Sequence, residues 1–215
     1  MSRYVTELVG TFFLVLTIGL TAMSGTPMAP IAMGSVLMAM VYMGGHISGA
    51  HYNPAVSVAI LIRGRMKVRD LVPYVLAQIS GAILASLAVM VISGGTFAPA
   101  PAPEAGLVVV LLSEGLFTFA LSLVVLNVAT DDATADNSFY GLAIGVTVLA
   151  GAFAVGPISG GVFNPAVGTG PILVNALAGD GTFDQLWIYW AGPLLGSVAA
   201  AGAFDLQHSG PANPP

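Results

Sequence analysis

The chain has no cysteine among its 215 residues, so disulfide bonds and thiolate metal ligands are excluded. Charged residues are also scarce, at 7%, whereas about a quarter of the residues in an ordinary soluble domain are charged. Only five are basic, and the net charge of −5 argues against nucleic acid as a partner. The chain is instead 56% hydrophobic, with a mean hydropathy of +0.91. This composition predicts a protein that resides in a lipid bilayer.

Six apolar segments are long enough to cross a hydrocarbon core of about 30 Å, which takes roughly 20 helical residues. They lie at about 4–22, 29–45, 71–92, 107–128, 139–155 and 186–204. A signal peptide is the alternative for the first segment, but Glu7 stands at its start and no clear cleavage site follows it. Two further apolar segments, 54–62 and 165–177, are too short to span, since the first would rise only about 15 Å as a helix.

Two copies of the tripeptide Asn-Pro-Ala open the two short segments. They are Asn53, Pro54 and Ala55, and Asn164, Pro165 and Ala166. Each copy stands in a longer phrase, and the two phrases match at seven of ten positions with a constant offset of 111 residues. Asparagine is a strong N-cap, and proline suits the first helical position because it has no N–H to leave unpaired. Each copy therefore predicts the beginning of a half-helix.

The first half-helix follows span two and the second follows span five, so the chain divides into two similar halves. Glu7 in span one and Glu114 in span four stand in matching contexts. Because each half crosses the membrane three times, an odd number, the two repeats must be inverted relative to each other. The predicted units are repeats at 1–105 and 106–207, with half-helices at 53–62 and 164–177, and a polar tail at 208–215. The predicted fold class is an all-α membrane protein with six transmembrane helices and two re-entrant half-helices.

All basic residues stand before span one or between spans two and three. They are Arg3, Arg63, Arg65, Lys67 and Arg69. An even number of crossings separates the two places, so the positive-inside rule puts both, and with six spans the carboxyl terminus, in the cytoplasm. A chance distribution of surface charge is the alternative. The acidic loop at 131–136 should share that side although it has no Lys or Arg, since acidic residues contribute little to orientation.

The two half-helices are expected to meet with their amino termini near the midplane, where they can line a pore. Each amino terminus carries about half a positive elementary charge, so two facing tips repel protons and other cations. The amides of Asn53 and Asn164 can donate hydrogen bonds to a neutral solute, and the extended backbone ahead of them offers carbonyl acceptors. The expected carbonyls are those of Gly49, Ala50, His51, Gly161, Val162 and Phe163. Irregular backbone at that depth requires a water-filled cavity or burial in protein, which favours a pore.

Two intramembrane glutamates and two histidines have alternative roles. Glu7 and Glu114 are candidates for proton relays, because ionisable residues inside membranes are functional candidates by default. The alternative is structural: each carboxylate accepts hydrogen bonds from the otherwise unsatisfied backbone of a re-entrant loop. Similarly, His46 and His51 could gate the pore by protonation or could serve structural roles.

The doubled Asn-Pro-Ala, the paired Glu7 and Glu114, and the phrases at 77–82 and 192–196 resemble the aquaporin, or major intrinsic protein, family. The resemblance covers nearly the whole chain. It implies a passive channel for water and small uncharged solutes that excludes protons and ions. It also implies a homotetramer with one pore per subunit. The small size and short loops favour a plasma or inner membrane of a prokaryote.

One position departs from the family pattern. The family usually continues the second Asn-Pro-Ala with an arginine, and this chain has Val167. Counting from the motifs by the family's distances puts the other members of the outer constriction at Met33, Ala152 and Gly161. These four residues would form a wide, apolar and uncharged ring. We therefore expect water to pass together with larger neutral solutes such as glycerol, urea, hydrogen peroxide and undissociated metalloid acids.

Other functions remain open at this point. A water-selective aquaporin is one, and a non-conducting structural member of the same fold is another. A secondary transporter also uses inverted repeats and broken helices, but it normally needs a coupling site, and no Asp or Lys lies within a span. An enzyme is not expected, because the three histidines and few carboxylates show no nucleophile–base or metal-ligand spacing. No cofactor is expected either.

Overall fold

The computed structural model describes residues 1–209, and its regular structure is helical in that range. The six long helices are α1 (Ser2–Ser24), α2 (Ala29–Ser48), α4 (Val68–Ser93), α5 (Leu107–Ala129), α6 (Tyr140–Ser159) and α8 (Ile188–Gln207). The two short helices are α3 (Pro54–Ile62) and α7 (Pro165–Ala178), and a 3₁₀ turn at Asp132–Thr134 lies between α5 and α6. The predicted all-α architecture is confirmed. Most of the predicted polar tail lies outside the described residues.

The helix ends differ from the predicted ones by a few residues. The largest extension at a carboxyl end is that of α6, which continues through Pro157 to Ser159, four residues beyond the predicted end at 155. The helix ends where Gly160 adopts the left-handed conformation, with φ of 93°, and donates its N–H to the carbonyl of Gly156. A glycine in this conformation is the usual helix stop. Gly160, rather than Pro157, therefore sets the length of α6.

Five of the long helices, α1, α2, α4, α5 and α6, are long and apolar enough to cross a membrane. The sixth predicted span, α8, has 20 residues but falls outside this group, since three glycines, a proline and Asp205 lower its hydropathy. Its packing is nevertheless that of a core helix, because it lies along α5 as extensively as α4 lies along α1. These two pairs, together with α2 against α6, form the frame around the short helices.

Glycines allow the two helix pairs to approach closely. A Cβ atom placed on Gly81 of α4 would lie 3.1 Å from the backbone nitrogen of Phe12 in α1. One placed on Gly196 of α8 would lie 2.9 Å from the backbone nitrogen of Phe119 in α5. Small residues at helix contacts are a general device of membrane proteins, since they allow backbones to approach. The same device therefore joins corresponding helices in both halves of the chain.

The far ends of α3 and α7 lie on opposite faces of the molecule. Just after α3, Arg65 donates to Asp132 in the α5–α6 loop at 2.8 Å. Near the end of α7, Asn175 accepts from Thr96 in the α4–α5 loop at 2.7 Å. These two loops lie at opposite ends of α5, so the short helices enter from opposite faces. We call the face with Arg65, where the five basic residues lie, the basic side, and the other face the opposite side.

Candidate functional site

The tips of α3 and α7 are joined by a reciprocal pair of hydrogen bonds. Nδ2 of Asn53 donates to the carbonyl of Phe163 at 2.8 Å, and Nδ2 of Asn164 donates to the carbonyl of Tyr52 at 2.8 Å. Both asparagines are buried, at 3% and 5% exposure, on extended backbone. The two amino termini thus face each other in the middle of the fold, as the sequence predicts.

Each asparagine also caps its own helix. Oδ1 of Asn53 accepts N–H bonds from the second and third helical residues at 2.8 and 3.4 Å, and Oδ1 of Asn164 does the same at 2.9 and 3.4 Å. Pro54 and Pro165 occupy the first helical positions, where an N–H is not needed. With Oδ1 committed to the cap, Nδ2 must point towards the other half. Each amide has two N–H groups, so one remains for a solute.

A cavity of about 160 Å³, which we call the main cavity because both asparagines line it, runs past the helix tips. Towards the opposite side it reaches Ala22 and Phe97, and towards the basic side it reaches His51 and Ile144. His51 also lines a second cavity, of about 320 Å³, and Ile144 lines a third, of about 440 Å³. Basic and acidic loop residues of the basic side line these two cavities. The three cavities share lining residues and follow one another from the opposite side, past the helix tips, to the basic side.

Three of the four positions expected in the outer constriction line the main cavity: Met33, Gly161 and Val167. The fourth, Ala152, is buried in α6 but is not among the lining residues in the described part of the chain. The wall contributed by α6 at this level comes from Val148, one turn earlier. Ala152 packs against Gly161, where an added Cβ would lie 3.5 Å from the Cα atom of Ala152.

The α4–α5 loop supplies lining residues that the sequence analysis missed. Phe97, Ala98 and Pro99 line the main cavity at the opposite side. The ring of Phe97 packs against α1, where a Cβ atom on Gly19 would lie 2.7 Å from its Cζ atom. The only sign in the sequence is a single aromatic residue in an otherwise small and proline-rich loop. Phe97 therefore belongs to the apolar lining of the main cavity at the opposite side.

The expected pore carbonyls belong to residues along the passage. Five of these residues line the main cavity, namely Ala50, His51, Gly161, Val162 and Phe163, and the sixth, Gly49, lines the two cavities of the basic side. The carbonyl of Phe163 already accepts the Asn53 amide, so it retains only one lone pair for a solute. The carbonyl of Tyr52 is engaged in the same way by Asn164.

The backbone ahead of each asparagine is strained. Ala50, Tyr52 and Phe163 have φ angles of 50°, 48° and 51°, in the left-handed region that residues with a side chain rarely adopt. Such conformations persist only where the surrounding structure holds them in place. Two buried carboxylates, Glu7 and Glu114, provide the hydrogen bonds that hold these segments.

Glu7 accepts four hydrogen bonds although it is fully buried. Its Oε1 atom accepts from the hydroxyl of Ser48 at 2.7 Å and from the N–H of His51 at 3.0 Å. Its Oε2 atom accepts from the N–H of Tyr52 at 2.7 Å and from the amide of Gln78 at 2.8 Å. Two of these donors are backbone groups of the strained segment before α3. This is the geometry of an acceptor that supports a re-entrant loop.

Glu114 makes the corresponding contacts in the second half. Oε1 accepts from the hydroxyl of Ser159 at 2.7 Å and from the N–H of Val162 at 3.0 Å, and Oε2 accepts from the N–H of Phe163 at 2.7 Å. Its side chain is also fully buried. Glu7 and Glu114 thus have the same relation to the two asparagine tips.

His51 is fixed by a chain of hydrogen bonds that has no counterpart at Val162, the matching position in the second half. Its Nδ1 atom lies 3.0 Å from the hydroxyl of Ser57, which donates to the carbonyl of Asn53 at 3.0 Å. The direction of the hydrogen bond between His51 and Ser57 depends on which ring nitrogen of His51 carries the proton. His46 instead lines the third cavity.

Comparison with known proteins places these features in a family. A model of the major intrinsic protein family matches residues 1–204. Aquaporin NIP1-3 of Oryza sativa subsp. japonica is 40% identical over 217 residues, covering 95% of this chain and 73% of its own length. Aquaporin NIP1-1 of Zea mays is 38% identical over 216 residues, covering 96% of this chain and 74% of its own. The probable aquaporin AqpM of Archaeoglobus fulgidus is 36% identical over 235 residues, with 94% and 95% covered.

A solved structure shares the fold. The X-ray structure of the aquaglyceroporin from Plasmodium falciparum superimposes with a TM-score of 0.85 and covers 95% of both chains. Its sequence identity to this chain is 24%, so this likeness supports the architecture alone.

Proposed function

The chain belongs to the major intrinsic protein family, and on that premise we propose that it conducts water together with larger uncharged solutes. It is a multi-pass membrane protein of a channel family and not an enzyme. The proposal concerns the range of solutes: glycerol, urea, hydrogen peroxide and undissociated metalloid acids.

The observation that carries the proposal is the lining of the main cavity. Met33 and Val167 contribute apolar side chains and Gly161 contributes none, while Phe97 adds an apolar wall at the outer mouth. No Asp, Glu, Lys or Arg is among the residues that line this cavity within residues 1–209. A solute there exchanges its water partners for the asparagine amides and the backbone carbonyls. Neutral hydroxylic or amide-bearing molecules can make that exchange, whereas an ion would lose its hydration without a compensating charge.

Exclusion of cations is assigned to the paired helix tips. Asn53 and Asn164 mark two amino termini that face one lumen, and each carries about half a positive elementary charge. With Val167 in place of the family's arginine, these tips supply the positive potential of the main cavity, whose lining within residues 1–209 contains no Lys or Arg. The proposal therefore makes the midplane, rather than the outer constriction, the barrier to protons and ions.

The buried carboxylates are assigned a supporting role. Glu7 and Glu114 accept backbone N–H bonds from the strained segments that present the pore carbonyls. Their bonds to these segments favour this role over a proton relay. The two halves of the chain, 1–105 and 106–207, are likewise proposed to be inverted repeats, supported by the matching contacts of these glutamates and of Gly81 and Gly196.

The orientation and assembly also belong to the proposal. The five basic residues lie on the side to which both described chain ends belong, and the positive-inside rule then places that side in the cytoplasm of a plasma or inner membrane. A homotetramer with one pore per subunit is proposed from membership of the family. Measuring the mass of the protein complex after its release from detergent micelles tests the homotetramer. A mass of four chains is expected, and a mass of one chain would contradict it.

Stopped-flow light scattering of proteoliposomes tests the range of solutes. Wild-type vesicles should swell faster than empty vesicles in inward gradients of glycerol and urea, and they should also shrink faster under an impermeant osmolyte. Water flux with no flux of any larger solute would instead identify a water-selective pore. Saturable uptake coupled to an ion gradient would identify a transporter, and the absence of all flux a non-conducting protein.

A further inference from the structure

Four of the five basic residues of the chain line one cavity on the basic side. The cavity has a volume of about 320 Å³, and its basic lining residues are Arg3, Arg65, Lys67 and Arg69. Only Arg63 stands apart, with its guanidinium 4.7 Å from the ring centre of Phe204. The positive charge of the basic side is therefore concentrated around a single hollow.

Half of these charges are already neutralised. Arg3 makes two bonds to the carboxylate of Asp70, at 2.9 and 3.1 Å, and Arg65 bonds to Asp132 at 2.8 Å. Lys67 and Arg69 make no ion pair within residues 1–209, and both are exposed. The hollow thus presents two positive charges that lack a partner in the described chain. A negatively charged group of small size would complement them.

An exposed apolar stripe begins beside these two charges. Val68, Val72 and Leu76 are 76%, 64% and 59% exposed. Their spacing of four residues places them on one face of α4, which runs from the basic side into the membrane. Arg69 immediately follows Val68. Lys67 and Arg69 flank Val68 at the beginning of α4, so two cationic side chains stand where the apolar stripe begins.

We propose that this place binds an anionic phospholipid. Its phosphate contacts Lys67 and Arg69, and one acyl chain lies along Val68, Val72 and Leu76. Phosphate is the shared chemistry of a lipid headgroup and of free phosphate, but free phosphate makes no use of the apolar stripe. Clusters of Lys and Arg at the membrane surface attract anionic lipids by about 1 kcal/mol for each charge.

The bound headgroup would lie beside the inner mouth of the pore. Gly49 and His51 line both this hollow and the adjoining cavities of the passage. Lys67 belongs to the short segment between α3 and α4, so a lipid held there also restrains the far end of the half-helix. The site goes beyond the proposed conduction, because it concerns which lipid surrounds the channel.

Native mass spectrometry of the detergent-solubilised protein tests the site without any flux measurement. Phosphatidylglycerol should bind more tightly than phosphatidylcholine, and high salt should weaken it. Lys67→Gln and Arg69→Gln should each lower its affinity about fivefold, which corresponds to about 1 kcal/mol. Arg63→Gln is the matched control: it removes one charge from the same side, outside the hollow, and should leave the affinity unchanged.

Two further measurements could refute the lipid site. Inorganic phosphate at the same concentration should neither bind in its place nor raise the unfolding temperature as phosphatidylglycerol does; equal effects would reduce the site to a free-phosphate site. The exchange Lys67→Arg with Arg69→Lys keeps both charges and should retain binding even if the glutamine variants fold poorly. Equal loss in Arg63→Gln, or equal binding of both lipids, would mean that the charges serve orientation only and would overturn the proposal.

Discussion

Asn53 and Asn164 each use one side-chain amide for two purposes. The oxygen closes the first turn of the local helix, and the nitrogen donates to the backbone of the other half of the chain. Since the amide is planar, fixing the oxygen also fixes the direction of the nitrogen. The remaining N–H therefore has a defined direction towards the lumen. One residue type thereby links helix capping with contact between the halves, and we propose that its free N–H binds the solute.

Glu114 offers a stability prediction at the residue scale. In Glu114→Gln, one oxygen becomes an NH₂ group that faces a backbone N–H of Val162 or Phe163, donor against donor. A buried N–H left without an acceptor costs about 1–3 kcal/mol. We expect a lower midpoint of thermal unfolding in detergent. The control is Ser113→Ala, because the Ser113 hydroxyl bonds only to a carbonyl of its own helix; equal stability of the two variants would contradict the loop-supporting role.

Val167 offers a selectivity prediction. Val167→Arg places a long charged side chain in the apolar lining and narrows the lumen. An added barrier of only about 1.4 kcal/mol lowers a rate tenfold, so glycerol flux should fall about tenfold or more while water flux falls less. Stopped-flow measurement of both fluxes checks this. Val167→Ala keeps the lining apolar and should retain glycerol flux; if Val167→Arg loses water and glycerol equally, the position does not select by size.

The residues of the site differ in how far the sequence could predict them. The roles of Asn53 and Asn164 as caps follow from neighbouring residues, so the sequence contains that information. Their bonds to Phe163 and Tyr52 join positions 110 and 112 residues apart, and only the folded chain specifies them. The position of Phe97 in the cavity lining was not predicted either, because it too depends on contacts that only the folded chain specifies. The placement of Ala152 by counting stays a prediction, and Val148 is the residue one turn earlier in α6 that lines the main cavity.

The half-helices are the elements that the sequence predicted most closely. The first, Pro54–Ile62, coincides with the short apolar segment predicted at 54–62, and Pro165–Ala178 ends one residue beyond the segment predicted at 165–177. Their strong start signals explain this accuracy. Ends without such signals were predicted less well, as for α6, because apolar composition does not indicate where a buried helix stops. Conversely, α8 packs in the position of the sixth predicted span. It nevertheless contains enough small and polar residues to lower its hydropathy below that of the other long helices.

Gly196 lies where α8 packs against the backbone of α5. Gly196→Ala would put a methyl group against the backbone of α5, where it has no room. Overpacking of this kind typically costs about 1–3 kcal/mol. Gly202→Ala, on the same helix, meets nothing within 4 Å and is the matched control. Thermal unfolding of the two variants checks the difference, and an unaffected Gly196→Ala protein would show that the helices can separate without cost.

The end of α8 is tied to the α5–α6 loop by Asp131. The N–H of Ala133 and the imidazole of His208 hold the pKa of Asp131 below its usual value. Because the folded-state pKa is lowered, ionised Asp131 stabilises the fold at neutral pH. This stabilisation is lost in acid, as the pH falls from the usual carboxyl pKa of about 3.9 through the lowered pKa of the folded state.

Hydrogen exchange measures this contact. Asp131→Asn removes the charge facing His208, so the amides of residues 204–208 should exchange faster at neutral pH. In the wild type the same increase should appear only in acid, when the carboxylate takes up a proton. Asp136→Asn removes a charge from the same loop but not from this contact, and it should leave the exchange unchanged. Equal exchange in all three proteins would show that the loop does not restrain α8.

At the scale of the whole molecule, the fold class could be predicted because each of its parts has a local signal. Apolar length marks the spans, Asn-Pro marks the half-helices, and the odd number of spans in each half fixes the inversion. The shape of the passage could not be predicted, because it depends on which side chains of several helices and one loop converge. The distribution of charge belongs to the same scale. Lys67 and Arg69 gain their significance only when the fold brings Arg3 and Arg65 to the same hollow.

We propose that this apolar pore rejects ions without a filter arginine, because two helix tips face its midplane. Glycerol-driven swelling and the leak of potassium ions, measured on the same batch of proteoliposomes, test it most directly. Glycerol flux should be well above that of empty vesicles, and the potassium leak should equal that of empty vesicles. A potassium leak that rises together with glycerol flux would contradict it.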